Sequence, residues 1–284
     1  MLGVLGDEWT LLIIQQALLG STRYGEFATA LPVSNSVLTG RLQLLVDGDL
    51  LAHREYQTNP SRSEYPATAR SRSLWPMLTS IWEWERRWVP VHIQRLPEMR
   101  HKVCGADFAP LVTCKACGTA TNEKDVVAQW GPSGTWERSV PSTTNRRRSD
   151  NRRGGAGLQF PQTMSVIGDR WGFALLVAAF VGVSRFTDFQ AQLSAPPGTI
   201  ADRLSAFATE GILCTTGGHY QLTRKGRSFF PVLVTALQWA QRWYPDPEGP
   251  AVELTHTVCG HQFSPVLVCD QCTTALHAAQ VIPV

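Results

Sequence analysis

Most of the chemistry in this sequence is concentrated in two short patterns of histidine and cysteine. His101, Cys104, Cys114 and Cys117 follow the spacing HxxC…CxxC, and His256, Cys259, Cys269 and Cys272 repeat it at the same intervals. A CxxC pair offers two thiolates from one tight turn, and a facing HxxC pair can complete a tetrahedron of donors. Three sulfurs and one nitrogen suit Zn²⁺ in a closed, structural site. Gly105, Gly118 and Gly260 fit such turns, whose backbone angles favour glycine. Each segment by itself therefore reads as a short zinc ribbon, and the chain as a holder of two structural Zn²⁺ ions. Phe108, Pro110, Leu111 and Val112, with Phe263, Pro265, Val266 and Leu267 in the second copy, would form a core too small to fold unaided. A CxxC redox pair, or reduced cysteines without metal, are the competing readings. His261 is a weaker alternative to His256, because the first copy has Ala106 at that place. The seven cysteines are an odd number, and the pairing of six of them into two equal patterns argues for metal rather than disulfides. Cys214 stands apart in an apolar strand context and is expected to be buried.

The elements that position these ligands are also duplicated. Gly6-Asp7-x-Trp9 recurs as Gly168-Asp169-x-Trp171, Arg23-Tyr24-x-x-Phe27 as Arg185-Phe186-x-x-Phe189, and Arg41-Leu42 as Arg203-Leu204, all at one offset. A shorter offset then relates Tyr65 to Tyr220, Arg72-Ser73 to Arg227-Ser228, Pro76 to Pro231, Trp84 to Trp239, Trp88 to Trp243 and every metal candidate to its partner. One deletion between Leu51 and Tyr65 accounts for the change. The Ser-, Arg-, Gly- and Pro-rich stretch 125–162 shows no counterpart and reads as a linker. Its run Asn145 to Gly157 carries five arginines against one aspartate, a solvated linker or, alternatively, an arm that tracks DNA.

Within the first copy, apolar periodicity predicts helices over Asp7–Leu19, Tyr24–Leu31 and Ser34–Val46, the last with Val37, Leu38, Leu42 and Leu45 as its buried stripe. Strands are expected at Leu50–Tyr56 and Ser63–Ala67, and one long aromatic helix over Ser71–Ile93. The fold class is mainly α with small β-wings (α+β). It comprises two tandem winged helix-turn-helix domains at 1–98 and 163–248, each with a His/Cys₃ zinc-ribbon-like appendage at 99–124 and 249–284.

At GDEWTLLII, RYGEFATALP, VLTGRL, PSRSEYPAT and ARSRSLWPML, and at GDRWGFALL, RFTDFQAQL, RLSAFATEGIL and YQLTRKGRSFFPVL in the second copy, the chain resembles the HxlR family of bacterial transcription regulators, itself related to MarR. The resemblance covers nearly all of each module except the metal segment and linker. It implies a helix at Ser34–Val46 in the major groove and a wing near the minor groove of an operator. Ser34, Ser36, Thr39 and Gln43 would then project toward DNA, with Arg54 and Arg62 on phosphate or groove. Two departures stand out. Ser36, and Gly198 in the second copy, replace the basic residue usual in the family, and Thr215-Thr216-Gly217-Gly218-His219 reads as a lost wing. Pro196-Pro197-Gly198 at the start of the second reading helix looks hostile to a helix, and Asp202 would be repelled by phosphate. Members of the family often sense electrophiles through a cysteine ahead of the first core helix; no cysteine stands among residues 1–6, so that mechanism is not expected.

The leading expectation is a DNA-binding transcriptional regulator, cytoplasmic and nucleoid-associated when bound to double-stranded DNA. It would assemble as an intramolecular pseudo-dimer or as a homodimer. Trp75, Trp82, Trp239 and Trp243 are candidates to line a pocket for a small aromatic ligand. The alternative is a winged-helix protein repurposed for small-molecule capture or partner docking. An enzyme is not expected, since no nucleophile–base pair or phosphate loop is visible. No signal peptide is visible in MLGVLGDEWT, and no apolar run suits a membrane span.

Overall fold

Asp7 shows how the first repeat is started and tied. In the computed structural model of the chain, which describes residues 5, 7–59, 61–89, 96–135, 160–168 and 170–284, its Oδ1 accepts the Thr10 backbone N–H at 2.9 Å and so caps α1 (Glu8–Leu18). Its Oδ2 lies 2.7 Å from the Arg41 guanidinium. That one buried carboxylate joins α1 directly to α3 (Asn35–Asp47), with α2 (Tyr24–Ala30) between them in the chain. Leu38, Leu42 and Leu45 form the buried stripe of α3, whereas Val37, expected among them, is exposed.

The wing is a hairpin of β1 (Arg54–Thr58) and β2 (Ser61–Glu64), displaced toward its tip relative to the predicted strands. Leu50 and Leu51 are drawn instead into the core, leaving only an isolated bridge from Leu51 to Ala67. The expected long helix is two helices, α4 (Ala69–Arg72) and α5 (Trp75–Trp88). Pro76 explains the break: it lacks the N–H that a continuous helix would need there, and it is accommodated in the first turn of a new one. Residues 90–95, the far end of the predicted helix, lie outside the described residues.

Three strands follow, β3 (Met99–His101), β4 (Pro110–Cys114) and β5 (Val126–Trp130). The second repeat then runs through α6 (Pro161–Ile167), α7 (Arg170–Phe180), α8 (Phe186–Leu193) and α9 (Pro197–Thr209). A second hairpin, β6 (Leu213–Thr216) with β7 (His219–Leu222), precedes α10 (Arg224–Arg227) and α11 (Phe230–Trp243). The chain closes with β8 (Val252–His256), β9 (Pro265–Cys269) and β10 (Val281–Pro283). The second wing is therefore shortened rather than lost. Gly217 and Gly218, at φ 57° and 77°, make the two-residue turn that a tight hairpin requires. Pro197 likewise sits in the first turn of α9, where its missing N–H costs nothing, so α9 is a full helix.

The two repeats are built around a pseudo-two-fold axis. Strand β4 pairs antiparallel with its own counterpart β9, Val112 opposite Leu267 at the centre. Strand β3 pairs with β10, placing His101 opposite Val281, and β8 pairs with β5, placing His256 opposite Val126. Such reciprocity is the mark of an isologous interface, here formed within one chain. The helical layer obeys it as well: Trp84 Nε1–H donates to the Lys225 carbonyl at 3.2 Å, and Trp239 Nε1–H to the Arg70 carbonyl at 2.9 Å. Helices α5 and α11 pack together, and a single apolar core includes Leu12, Leu42 and Trp84 from one repeat with Leu176, Leu204 and Trp239 from the other.

Two expectations change here. Residues 126–130, assigned to the linker, form strand β5, and the 3₁₀ turn before it at Glu123–Asp125 recurs before β10 at Ala278–Gln280. The repeat thus extends further than its conspicuous residues suggest. The run Asn145 to Gly157 lies outside the described residues. Cys214, expected in an apolar interior, is exposed on β6, because a two-stranded wing has no second layer to cover it.

One polar contact is buried at the join. Glu85 on α5 accepts the Thr163 backbone N–H at 2.6 Å, so a carboxylate from the first repeat caps the first helix of the second. Burial pushes the Glu85 carboxyl up to about 7 from the ordinary 4.5. The folded protein then holds this proton more tightly than the unfolded chain. The stability this group supplies is complete below the unfolded value and is lost as pH rises through about 7. Glu85→Gln is expected to stabilise the protein by about 2 kcal/mol at pH 8 and to flatten the decline between pH 5 and 7. Urea unfolding across that range measures it; an unchanged slope would place the titration elsewhere.

Candidate metal centres and nucleic-acid interface

All eight predicted ligands converge, but not in the groups that the spacing suggests. One centre gathers His101, Cys104, Cys269 and Cys272, and the other Cys114, Cys117, His256 and Cys259. The HxxC turn of each repeat thus meets the CxxC turn of the other, and the expectation of one self-contained ribbon per segment is corrected. The cause is strand pairing. Because β4 lies against β9 in antiparallel register, Cys114 stands beside Pro265 and Cys269 beside Pro110, which carries each CxxC across the axis.

The donors fit a tetrahedral ion. Bond lengths of about 2.3 Å to sulfur and 2.05 Å to nitrogen imply S···S near ~3.8 Å and N···S near ~3.6 Å. Cys104 Sγ and Cys269 Sγ are 3.9 Å apart, and Cys114 Sγ and Cys259 Sγ 4.0 Å. His101 Nδ1 lies 3.5 Å from Cys104 Sγ and 3.3 Å from Cys272 Sγ; His256 Nδ1 lies 3.5 Å from Cys117 Sγ and 3.2 Å from Cys259 Sγ. Both histidines are fully buried and face their thiols through Nδ1. The thiols are biased in opposite directions. Hydrogen bonds from Thr119 hold Cys117 down at about 6, Thr274 does the same for Cys272, also at about 6, and burial raises Cys269. His261 takes no part: it is exposed, with Nδ1 against the Cys259 carbonyl.

Each of the four turns is closed by the same bond. The N–H of Gly105, Gly118, Gly260 and Thr273 donates at 2.8 Å to the carbonyl four residues back, at His101, Cys114, His256 and Cys269. These four closing residues have φ 74°, 73°, 72° and 56°, so Thr273 occupies a left-handed position that glycine fills in the other three. The expected small core is shared as well. Phe108 and Val112 pack with Phe263 and Leu267 and with Phe230 and Val234 of α11, whereas Leu111 is exposed.

In the first repeat, Ser34, Ser36, Thr39, Gln43, Arg54 and Arg62 are all exposed. Ser34 has the extended backbone of an N-cap but makes no capping bond with its side chain; its Oγ lies 3.3 Å from Ser36 Oγ. Gln43 Nε2 donates to Asp47 at 2.7 Å. Tyr24, marked in the sequence as part of the repeated Arg23-Tyr24-x-x-Phe27 pattern and not as a site residue, steadies this helix: its hydroxyl donates to the Asn35 carbonyl at 3.2 Å and lies 3.5 Å from Thr39 Oγ1. Arg62 is opposite Gln57 in the wing, and the Arg23 guanidinium sits over the Tyr56 ring at 5.0 Å. The four tryptophans suggested as a pocket are divided between two packed clusters, Trp239 and Trp243 in the main core and Trp75 and Trp82 against the metal-proximal one. Three of their indole N–H groups are spent on protein acceptors: Trp82 on the Pro97 carbonyl, Trp239 on Arg70 and Trp243 on Ser73 Oγ.

The HxlR-like helix-turn-helix family matches residues 4–93 and again 166–248. The chain belongs to this family, twice over. An uncharacterized HTH-type transcriptional regulator of Mycobacterium tuberculosis is 32% identical over 134 residues, 45% of this chain and 85% of the relative. The Bacillus subtilis HTH-type regulator YvaP, also uncharacterized, is 34% identical over 87 residues, 30% of this chain and 81% of its own length. A solved Pseudomonas aeruginosa structure is 27% identical, covers 45% of this chain and 88% of its own, and superposes with a TM-score of 0.38. The two HxlR-like stretches coincide with the helices and wings, and the eight metal candidates fall outside both. Among the described residues, no helix is long and apolar enough to cross a membrane.

Proposed function

We propose that this HxlR-like chain is a DNA-binding transcriptional regulator that works as its own dimer, with two Zn²⁺ ions holding its halves in register. The observation that carries the reading is the pseudo-two-fold pairing of two helix-turn-helix units within one chain. Winged-helix regulators commonly read pseudo-palindromic operators with paired reading helices, and a tandem repeat can supply both. When bound, the metal supplies a rigid cross-link; the residues that would hold it are the two crossed quartets, and no catalytic step is assigned to the chain. Residues 1–98 and 163–248 act as the two winged helices, and 99–124 and 249–284 as halves of a common metal platform.

The first unit leads in DNA reading. Its helix α3 presents Ser34 and Ser36 at the positive end of the helix dipole, where a phosphate is favoured, and Thr39 and Gln43 further along. Its wing carries Arg54 and Arg62 into solvent. In the second unit, α9 exposes Gly198 and Asp202, and the shortened wing carries no arginine. A mobility-shift assay against the gene's own upstream region tests the reading. Binding should weaken with salt, and Arg62→Ala should reduce affinity several-fold and lower the salt slope by about 1. Salt-insensitive binding, or full affinity in Arg62→Ala, contradicts it and turns attention to the repurposed winged helix.

A further inference from the structure

We infer that the two metal centres are unequal, and that the one formed by His101, Cys104, Cys269 and Cys272 is the weaker, exchangeable joint. The inference rests on the proposed binding of Zn²⁺ and adds a rank order to it. Two independent observations point the same way, and both lie where the repeats differ in sequence.

The first is the outer nitrogen of each histidine. With Nδ1 on the metal, Nε2 carries the proton and needs an acceptor. His256 Nε2 has one: it lies 3.3 Å from Thr121 Oγ1, whose own hydroxyl donates to the Thr119 carbonyl at 2.9 Å. A hydrogen-bonded chain thus fixes the ring, its tautomer and its basicity. At the equivalent place beside His101 the second repeat has Leu276, a buried side chain with no acceptor, and His101 Nε2 is buried without a partner. Desolvating that N–H without a bond penalises the ring orientation that ligation requires. The second observation is the turn closed by Thr273. Its φ of 56° is tolerated by glycine at the other three turns but is strained for a β-branched residue, and this turn presents Cys269 and Cys272. The weaker histidine and the strained CxxC turn therefore belong to one centre, while the other combines a supported histidine with two glycine turns.

Losing an outer partner of a metal-bound histidine typically lowers affinity 10- to 100-fold. Titration of the two-zinc chain with a colorimetric chelator, with native mass spectrometry at each point, is expected to show one ion released well before the other, separated by roughly that factor. Cys104→Ser should abolish the early phase and Cys259→Ser the late one. Thr121→Val, which keeps the shape and removes the hydroxyl, should draw the late phase toward the early one. Thr273→Gly and Leu276→Thr should each delay the early phase; if burying a hydroxyl in Leu276→Thr impairs folding, Thr121→Val and Thr273→Gly still decide the matter. Release of both ions in one phase, or a late phase unmoved in Thr121→Val, overturns the rank order. A protein that binds no zinc overturns the metal reading beneath it.

Discussion

Stripping the metal is expected to unfasten the two repeats from each other rather than to unfold two separate appendages. Each quartet draws two ligands from either side of the pseudo-two-fold axis, so an ion lost from one centre releases a contact between repeats. Structural Zn²⁺ contributes on the order of 10 kcal/mol of folding free energy in isolated fingers at neutral pH, and the cluster around Phe108, Val112, Phe263 and Leu267 is small. The helical core is much larger and continuous across both repeats, so it should survive. Treatment with a strong chelator should therefore give a new low-temperature transition in calorimetry, roughly 10 °C or more below that of the loaded protein. It should be accompanied by loss of amide protection in β4 and β9 and retention of protection in α5 and α11. Specific DNA binding should fall in the same treatment, because the spacing of two reading helices is useful only when it is fixed. Unaltered melting after complete metal removal would show that the paired strands hold without it.

A second large effect is expected at Asp7. Its side chain is 2% exposed, caps α1 through Thr10 and pairs with Arg41 at 2.7 Å. Removing one partner of a buried ion pair costs about 3–5 kcal/mol, and losing an N-cap about 1 kcal/mol. Arg41 is partly exposed at 24% and can recruit water once its partner is gone, so the lower end applies and Asp7→Ala should cost ~3 kcal/mol. Asp7→Asn keeps the cap but not the charge and should fall between. Chemical denaturation at neutral pH measures both. A loss below ~1 kcal/mol for Asp7→Ala would mean that the cap alone matters. Arg41 also lies on α3, so the pair sets the pose of the proposed reading helix, and Asp7→Asn should weaken DNA binding more than its stability loss explains.

The sequence makes the inventory of this protein legible and leaves its connectivity hidden. The eight ligands, the glycines at three of four turns, the duplication and the order of helices and wing all follow from local spacing, because local backbone geometry decides them. Which HxxC meets which CxxC does not. Either pairing offers the same donors at the same intervals, and the choice falls to the long-range register of β4 on β9, which no short pattern encodes. Strand β5 escaped notice for a related reason. Val126 and Val281 are equivalent in the fold, but the residues around them, EKDVVAQW and AAQVIPV, share little besides valine. Thr273 could have been found by asking what occupies the place of Gly118 in the second copy. The break before α5 was written in Pro76; it was masked by the helical spacing of Leu74, Leu78 and Ile81, which runs across the proline.

Metal stoichiometry in paired cysteine variants of the chain decides whether each metal joins the two repeats. Cys104→Ser with Cys269→Ser removes two ligands of one crossed quartet, whereas Cys104→Ser with Cys117→Ser removes one from each. Crossed centres predict one bound zinc in the first variant and none in the second. One zinc in the second variant and none in the first would mean that each segment binds its own ion, contradicting crossed centres.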